Sequence, residues 1–267
     1  MKFRHAPFFM IAIAFAACQW GGPVKVAPAI TTDTLQYTYK TVKQRAADCG
    51  NSPDSACTVA NIVYPIFDGQ AALNNMIASG LLSQVGLGKK PDSSLQQLLD
   101  HYFTLYNGEK ANGHNADMFY ILRSNVYVVR QDSSLLTLQF SEKGYFGGAH
   151  GNMSTLFLNW NSKSGKKIQL SDILVNGYEE PLNQIAETIF RKDEKLTPTA
   201  PLSPDYFFDK GKFKLNDNFM ITPLGLRFLY NEYEIKPYSA GQTGLNIPYS
   251  EIRSLLRPNT VVTQYIK

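Results

Sequence analysis

The sequence predicts an α+β fold with two sub-domains, each an antiparallel sheet with packed helices. Three observations support this prediction. Strand-like runs lie in separate groups, two amphipathic helical patterns fall between the first groups, and a third helix precedes an aromatic-rich hairpin near the C-terminus. Grouped rather than alternating strands and helices are typical of α+β folds. We place the sub-domains at 35–165 and 166–267.

The first 17 residues have the pattern of a lipoprotein signal peptide. Two basic residues precede an apolar run of about ten residues, which is too short to span a bilayer. The run ends in Phe15-Ala-Ala-Cys18, where two small residues precede a cysteine that can carry lipid, although Phe15 is larger than is usual there. We predict lipidation at Cys18 and an exported protein, anchored at the outer membrane or the periplasmic face. An ordinary signal peptide is the alternative.

The charge of the mature chain argues against nucleic acid as a partner. The sequence has 26 basic and 22 acidic residues, and removal of Lys2 and Arg4 leaves 24 against 22, or +2. This excess is too small for binding to nucleic acid. Residues 18–34, rich in glycine, proline and small side chains, are predicted to be a tether.

Cys49 and Cys57 are predicted to form a disulfide. The seven residues between them are all turn formers, and disulfides are expected in an exported protein. A metal pair is the alternative, but the spacing is not CxxC and no histidine is near. The bond would hold the tip of a hairpin.

The first half of the body begins with two strands, 35–42 and 58–67, in which Pro65 indicates an edge or a strand end. Asp68 is predicted to cap a helix that continues to Val85, and a second helix is predicted over 92–106. Three further strands are predicted at 118–130, 135–140 and 154–160.

The second half is predicted to begin with a short strand. Apolar spacing over 182–190 predicts an amphipathic helix, and the three prolines at 197–204 interrupt the chain. The remaining predicted elements are a hairpin of 219–222 and 224–235, a short helix over 248–256 and a last strand over 261–266.

A glycine-rich stretch, Tyr145-Phe-Gly-Gly-Ala-His-Gly-Asn152, lies between two predicted strands. Its glycines allow positive φ angles and close backbone approach, which favours a hairpin turn or bulge. The alternative is a loop that admits a ligand, with His150 at its tip. On that interpretation the candidate binding residues are Gly147, Gly148, His150 and Asn152.

Several motifs together resemble a known family. They are Tyr64-Pro65 with Leu73-Asn74, the Gly-Gly-Ala-His-Gly-Asn of 147–152, and the stretches 165–174, 205–208, 218–222, 230–241 and 247–252. In this order they resemble the extracytoplasmic module of RsiV-type anti-sigma factors, which also precedes the catalytic domain of some PdaC-type peptidoglycan deacetylases. The resemblance covers about residues 35–258.

The resemblance implies a binding function. In RsiV the module binds lysozyme, which licenses proteolysis that frees a sigma factor. We expect no anti-sigma activity, because the sequence shows no sigma-binding segment. We also expect no attached deacetylase domain. The resemblance therefore implies an exported binding module for lysozyme or peptidoglycan, without a cofactor. It adds Tyr233, Glu234 and Tyr238 as candidate binding residues.

An enzyme is the alternative. Glu232 and Glu234, two apart on a predicted strand, would face one side, and paired carboxylates can hydrolyse or deacetylate cell-wall glycan. His150 with Asp205 is a second possible pair. The sequence has no Gly-x-Ser-x-Gly motif and no histidines at metal-ligand spacing, so we do not predict an enzyme.

Aromatic residues are frequent in the second half and could contact sugar rings or a protein. Strand alternation predicts that about half of them are buried. The set is Tyr206, Phe207, Phe208, Tyr230, Tyr233, Tyr238 and Tyr249.

Overall fold

The computed structural model describes residues 34–87, 90–113, 118–203 and 205–266, and it confirms the α+β class. These described residues form one compact unit. The predicted signal peptide, Cys18 and the tether up to residue 33 lie outside the described residues. Among the described residues, no helix combines the length and apolar character needed to cross a bilayer.

The first half is a six-stranded sheet whose strand order follows the chain. Its strands are β1 Tyr37–Arg45, β2 Val59–Phe67, β3 Ile121–Asp132, β4 Leu135–Tyr145, β5 Asn152–Asn161 and β6 Lys166–Lys167. All neighbours are antiparallel except β2 and β3, which are parallel. A parallel pair needs a long crossover, and helices α1 (Ala71–Val85) and α2 (Leu95–Ala111) supply it.

Both helices pack on one face of this sheet. The predicted stripe of α1 is confirmed, because Leu73, Ile77, Leu81 and Val85 are all buried. The helix lies so close to β4 that a Cβ on Gly80 would be 2.6 Å from the Phe140 ring. The opposite face of the sheet carries no helix of this half.

The predicted helix starts need correction. Asp68 does not cap α1, because the helix begins at Ala71, its cap position is Gln70, and no side chain caps it. The second helix does not start at Asp92. Ser94 is its cap, accepting a hydrogen bond from the Gln97 amide at 3.1 Å, and the helix continues to Ala111.

The predicted disulfide is confirmed. Cys49 and Cys57 are bonded, with Cα atoms 5.3 Å apart, and both are buried. The bond closes the loop that connects β1 and β2, directly after the last pair of the ladder, Arg45 with Val59. It therefore holds the tip of the hairpin, as the spacing predicts.

The second half is a three-stranded antiparallel sheet covered by a helix. Its elements are α3 Leu170–Ile173, α4 Glu179–Asp193, β7 Phe219–Ile221, β8 Gly225–Tyr230 and β9 Thr243–Pro248. The central strand is β8. Leu182, Ala186 and Phe190 of α4 share a buried core with Phe228 and Tyr230 of β8.

Of the elements predicted for this half, one strand is too long, and one helix and one strand are wrong. The strand expected over 224–235 ends at Tyr230, where the chain turns. The helix expected over 248–256 is absent, because Pro248 ends β9 and only Arg253–Leu255 forms a 3-10 turn. The strand expected over 261–266 is a 3-10 helix, because Thr260 and Thr263 cap each other's backbone.

The two halves join along the edge of β5. β6 pairs only with the end of β5, so the backbone N–H groups at 153, 155 and 157 have no neighbouring strand. Side chains of the second half accept these three hydrogen bonds: Glu232 at 3.0 Å, Asn231 at 2.7 Å and Asn218 at 2.9 Å. An exposed strand edge is thereby capped by side chains instead of a strand.

Candidate functional site

The glycines of the β4–β5 loop (residues 146–151) determine its path. Gly147 and Gly148 adopt φ angles of 79° and 99°, in the left-handed region that favours glycine. A Cβ on Gly151 would lie 2.7 Å from the Gly144 carbonyl oxygen. The turn interpretation of this stretch is thus correct, and the same turn leaves His150 exposed.

The β8–β9 loop (residues 231–242) is held by Glu234. Its carboxylate accepts a hydrogen bond from the backbone N–H of Asn231 at 2.8 Å and another from the side-chain amide of Asn216 at 2.7 Å. Within this turn Tyr233 has a φ of 64°, a sparsely populated conformation for a bulky residue. The surrounding bonds hold Tyr233 there, with 55% of its surface exposed.

The two loops meet in an aromatic cluster, formed by His150, Tyr233 and Tyr238. The rings of His150 and Tyr238 are stacked, with centroids 3.9 Å apart and planes at 16°. Tyr233 completes the cluster, 5.8 Å from Tyr238 and 6.2 Å from His150. Residues that are 83 positions apart thus form one surface patch.

Hydrogen bonds determine the tautomer of His150. Its Nδ1 lies 2.9 Å from the Gly151 carbonyl oxygen, which can only accept, so Nδ1 carries the hydrogen. In the neutral ring Nε2 then accepts from the Tyr233 hydroxyl at 3.2 Å. Both ring nitrogens are therefore engaged, and a metal or substrate could bind only by displacing one of these partners.

The structure brings together only some of the candidate binding residues. His150, Tyr233 and Tyr238 are in contact, whereas Gly147 and Gly148 shape the loop. Asn152 is the first residue of β5 and pairs with Gly144 in the ladder. Glu234 is exposed, and its carboxylate holds the turn that carries Tyr233, so it positions Tyr233.

The predicted carboxylate pair does not form on a strand. Glu232 and Glu234 follow the end of β8, and each accepts a backbone hydrogen bond in a different place: Glu232 from Met153 and Glu234 from Asn231. The expectation that they face one side is wrong. Asp205 is also not among the hydrogen-bond or ring partners of His150 in the described part of the chain.

About half of the aromatic set is buried, as predicted, but strand alternation is not the cause, because only Tyr230 of the set lies on a strand. Tyr206, Phe208, Tyr230 and Tyr249 are buried in the core of the second half, whereas Phe207 and Tyr233 are exposed. Within residues 34–266, apart from the undescribed gaps, no three His, Cys, Asp or Glu side chains lie close enough to hold a metal ion.

Sequence reasoning missed a buried carboxyl group, Glu142. It lies on β4 with 1% of its surface exposed. One carboxyl oxygen accepts from the Ser154 hydroxyl at 3.3 Å, and Gln84 donates to that hydroxyl at 3.0 Å. The other oxygen has no partner, and burial raises the pKa of Glu142 to about 7. Continuing the apolar alternation of Leu136, Leu138 and Phe140 by one step would have placed Glu142 inside.

Comparison with known proteins adds a family match and structural neighbours. The family model described as "Protein of unknown function (DUF3298)" matches residues 171–250, from α3 to just after β9. No curated protein matches the chain.

Two crystal structures resemble the whole body of the chain. A DUF3298 family protein from Pseudomonas aeruginosa PAO1 has a TM-score of 0.64 and 23% identity, covering 85% of this chain and 96% of that one. A member of the same family from Bacteroides fragilis NCTC 9343 has a TM-score of 0.68 and 23% identity, covering 88% and 99%. These likenesses show the fold; the relation to RsiV and PdaC stays a prediction.

Proposed function

We propose that this protein is an exported, lipid-anchored binding module of the bacterial envelope whose ligand is a protein, with lysozyme as the first partner to test. The observation that carries the proposal is the aromatic cluster. Two distant loops converge in one patch, in which His150 and Tyr233 are exposed and Tyr238 is half-buried. The lysozyme partner itself comes from the resemblance to RsiV.

The chemistry of the cluster suits a protein interface. Tyrosine offers a large apolar ring with a hydroxyl, and it is frequent among residues that dominate binding energies. The stack with Tyr238 and the hydrogen bond from Tyr233 hold the His150 ring in one orientation. Because these side chains are already ordered, binding would cost little conformational entropy.

The polar groups of the patch favour binding over hydrolysis. Glu232 and Glu234 each accept a backbone hydrogen bond, and both nitrogens of His150 have partners. A general base needs a free lone pair within reach of the proton that it removes. In this arrangement the Nε2 lone pair of His150 already accepts a hydrogen bond, and the hydrogen bonds of the two glutamates hold the loops in place.

Replacing Tyr233 by alanine is expected to weaken lysozyme binding at least tenfold. Residues 34–267 would be titrated with C-type lysozyme in a calorimeter, because this span contains the compact unit. Tyr233→Phe keeps the ring and should stay within threefold of the unchanged protein. Tyr127→Ala is the matched control, since Tyr127 is 48% exposed on the helix-free face of the first sheet and lies outside both loops.

An equal loss of affinity in Tyr233→Ala and Tyr127→Ala would contradict a site at the aromatic cluster. If titration of the folded, unchanged protein with lysozyme released no heat, lysozyme would be excluded as the ligand. Peptidoglycan fragments would then be the next titrant, tested with the same two variants.

The anchoring part of the proposal has its own test. Expressed in a Gram-negative host fed with labelled palmitate, the full chain is expected to incorporate label and to sediment with membranes, because Cys18 carries acyl chains. The Cys18→Ser variant should lose both properties. Label in Cys18→Ser, or an unlabelled unchanged protein, would refute lipidation at this residue.

A further inference from the structure

The helix-free face of the six-stranded sheet is exposed around Tyr39, Lys43, Arg123, Tyr127 and Lys143, whereas at Leu135 and Thr137 of β4 it is buried. Helices α1 and α2 pack on the other face, where Ile62, Leu122 and Phe140 belong to the core. On the open face Tyr39 and Tyr127 keep 49% and 48% of their surface exposed. We call this surface the open face.

Strand register places basic side chains in a row across the open face. Lys43 pairs with Asn61, Asn61 with Arg123, and Arg123 with Lys143. Directly paired residues point to the same side of a sheet, so Lys43, Arg123 and Lys143 form one cationic row. Neighbouring strands are about 4.8 Å apart, so the backbone of Lys43 lies about 10 Å from that of Arg123. The backbones of Arg123 and Lys143 are about 5 Å apart.

Asp54 is the acidic group at the Lys43 end of the cationic row, and its charge also acts on Arg123. Asp54 lies 2.5 Å from Lys43 and 3.2 Å from Arg45. At the other end Glu232 accepts a hydrogen bond from the backbone of Met153, the residue paired with Lys143. Arg123 and Lys143 make no hydrogen bond or ion pair with any residue that the structure describes.

Aromatic side chains form a second row, parallel to the first. Tyr39 is four residues from Lys43 on β1, and Tyr127 is four residues from Arg123 on β3, so the rows are about 13 Å apart. The two tyrosines are neighbours, since the Tyr39 hydroxyl accepts from the Val128 amide at 3.4 Å. Between the rows lies a floor of small side chains: Thr41, Val63, Asn125 and Ser141.

We propose that the open face binds an acidic polysaccharide, a sugar chain that carries carboxylates. Arg123 and Lys143 would pair with the carboxylates, and Arg123 can do so in bidentate fashion. The exposed rings of Tyr39 and Tyr127 would pack against the apolar faces of sugar rings. A single chain would lie across the strands, on the floor between the two rows.

The probe is hexagalacturonate, which has one carboxylate per sugar, titrated into the full chain in a calorimeter. The double variant Arg123→Gln with Lys143→Gln is expected to bind at least tenfold more weakly. The matched control is Lys192→Gln with Lys212→Gln, which removes the same charge from exposed positions of the second half and should stay within twofold. An equal loss in both double variants would overturn the proposal.

Two further comparisons separate the charge from the sugar. Fully methyl-esterified hexagalacturonate keeps the rings without the charge and should not bind. Tyr127→Ala should weaken hexagalacturonate binding about fivefold and leave binding of short-chain polyphosphate unchanged. Absence of hexagalacturonate binding, or polyphosphate binding that is equally tight, would refute a polysaccharide site.

This inference does not depend on the lysozyme proposal. Tyr127→Ala should weaken hexagalacturonate binding and leave lysozyme binding intact, whereas Tyr233→Ala should do the reverse. Either proposal can therefore fail while the other stands.

Discussion

Replacing Asn159 by leucine is expected to lower the free energy of unfolding by about 4 kcal/mol. Asn159 lies on β5 with 2% of its surface exposed. Its side chain donates to the Phe219 carbonyl at 2.9 Å and accepts from the Ile221 amide at 3.0 Å, so it joins the first sheet to β7. Leucine has a similar size but would leave both backbone groups buried without partners, which costs about 1–3 kcal/mol each.

Urea denaturation of residues 34–267 would measure this change. Asn125→Leu is the matched control, because Asn125 is half-buried on β3 and makes no side-chain hydrogen bond with a described residue. Amide hydrogen exchange should show the largest loss of protection at Ile221, because the backbone N–H of Ile221 donates to the Asn159 side chain. Equal losses in the two variants would show that the bonds of Asn159 do not stabilise the junction.

Replacing Glu142 by glutamine is expected to raise the free energy of unfolding at pH 8 by about 3 kcal/mol. Burial raises the pKa of Glu142 to about 7, against an ordinary value of 4.5. A difference of about 2.5 between the folded and unfolded pKa corresponds to about 3 kcal/mol. Glutamine resembles the protonated carboxyl group and carries no charge to bury.

The direction of the pH dependence follows from this difference. Below pH 4.5 Glu142 is protonated in both states and contributes no pH dependence. Between pH 4.5 and about 7 the unfolded chain loses the proton while the folded protein retains it, so stability falls as pH rises. Above about 7 both states are ionised and the loss is complete.

Urea denaturation at several pH values between 4 and 8.5 would test this expectation. The unchanged protein and Glu142→Gln should have similar stability at pH 4 and diverge toward pH 8. Glu251→Gln, at an exposed position, is the matched control and should follow the unchanged protein. Parallel curves for the unchanged protein and Glu142→Gln would contradict a raised pKa.

The junction and the candidate site are physically connected. Asn231 and Glu232 bond to the edge of β5, and Tyr233 follows them directly in the chain. The aromatic cluster therefore has its geometry because the second half caps that edge. Within the motif at 230–241, Asn231, Glu232 and Glu234 thus have a structural role. Tyr233 has a candidate binding role.

Local patterns were enough to predict much of the chain. Apolar spacing predicted both large helices of the first half, turn formers between two cysteines predicted the disulfide, and glycines predicted the β4–β5 turn. Such features depend on neighbours along the chain, so the sequence carries them directly. In the first half only the helix starts need correction, whereas the wrong helix and the wrong strand lie in the second half, where short strands and 3-10 turns have weak periodicity.

Other properties depend on partners that are distant in the sequence. Whether Glu232 is a catalytic group or a cap depends on the free edge of β5, and whether Glu142 is ionised depends on burial under α1 and its neighbours. The contact between His150 and Tyr238 arises only when the two halves meet. The alternation of residues along one strand shows which side chains share a face of the sheet. Only the register between neighbouring strands aligns Lys43, Arg123 and Lys143. The α+β fold class, the disulfide and the β4–β5 turn therefore follow from the sequence. Tertiary packing determines which side chains form a site.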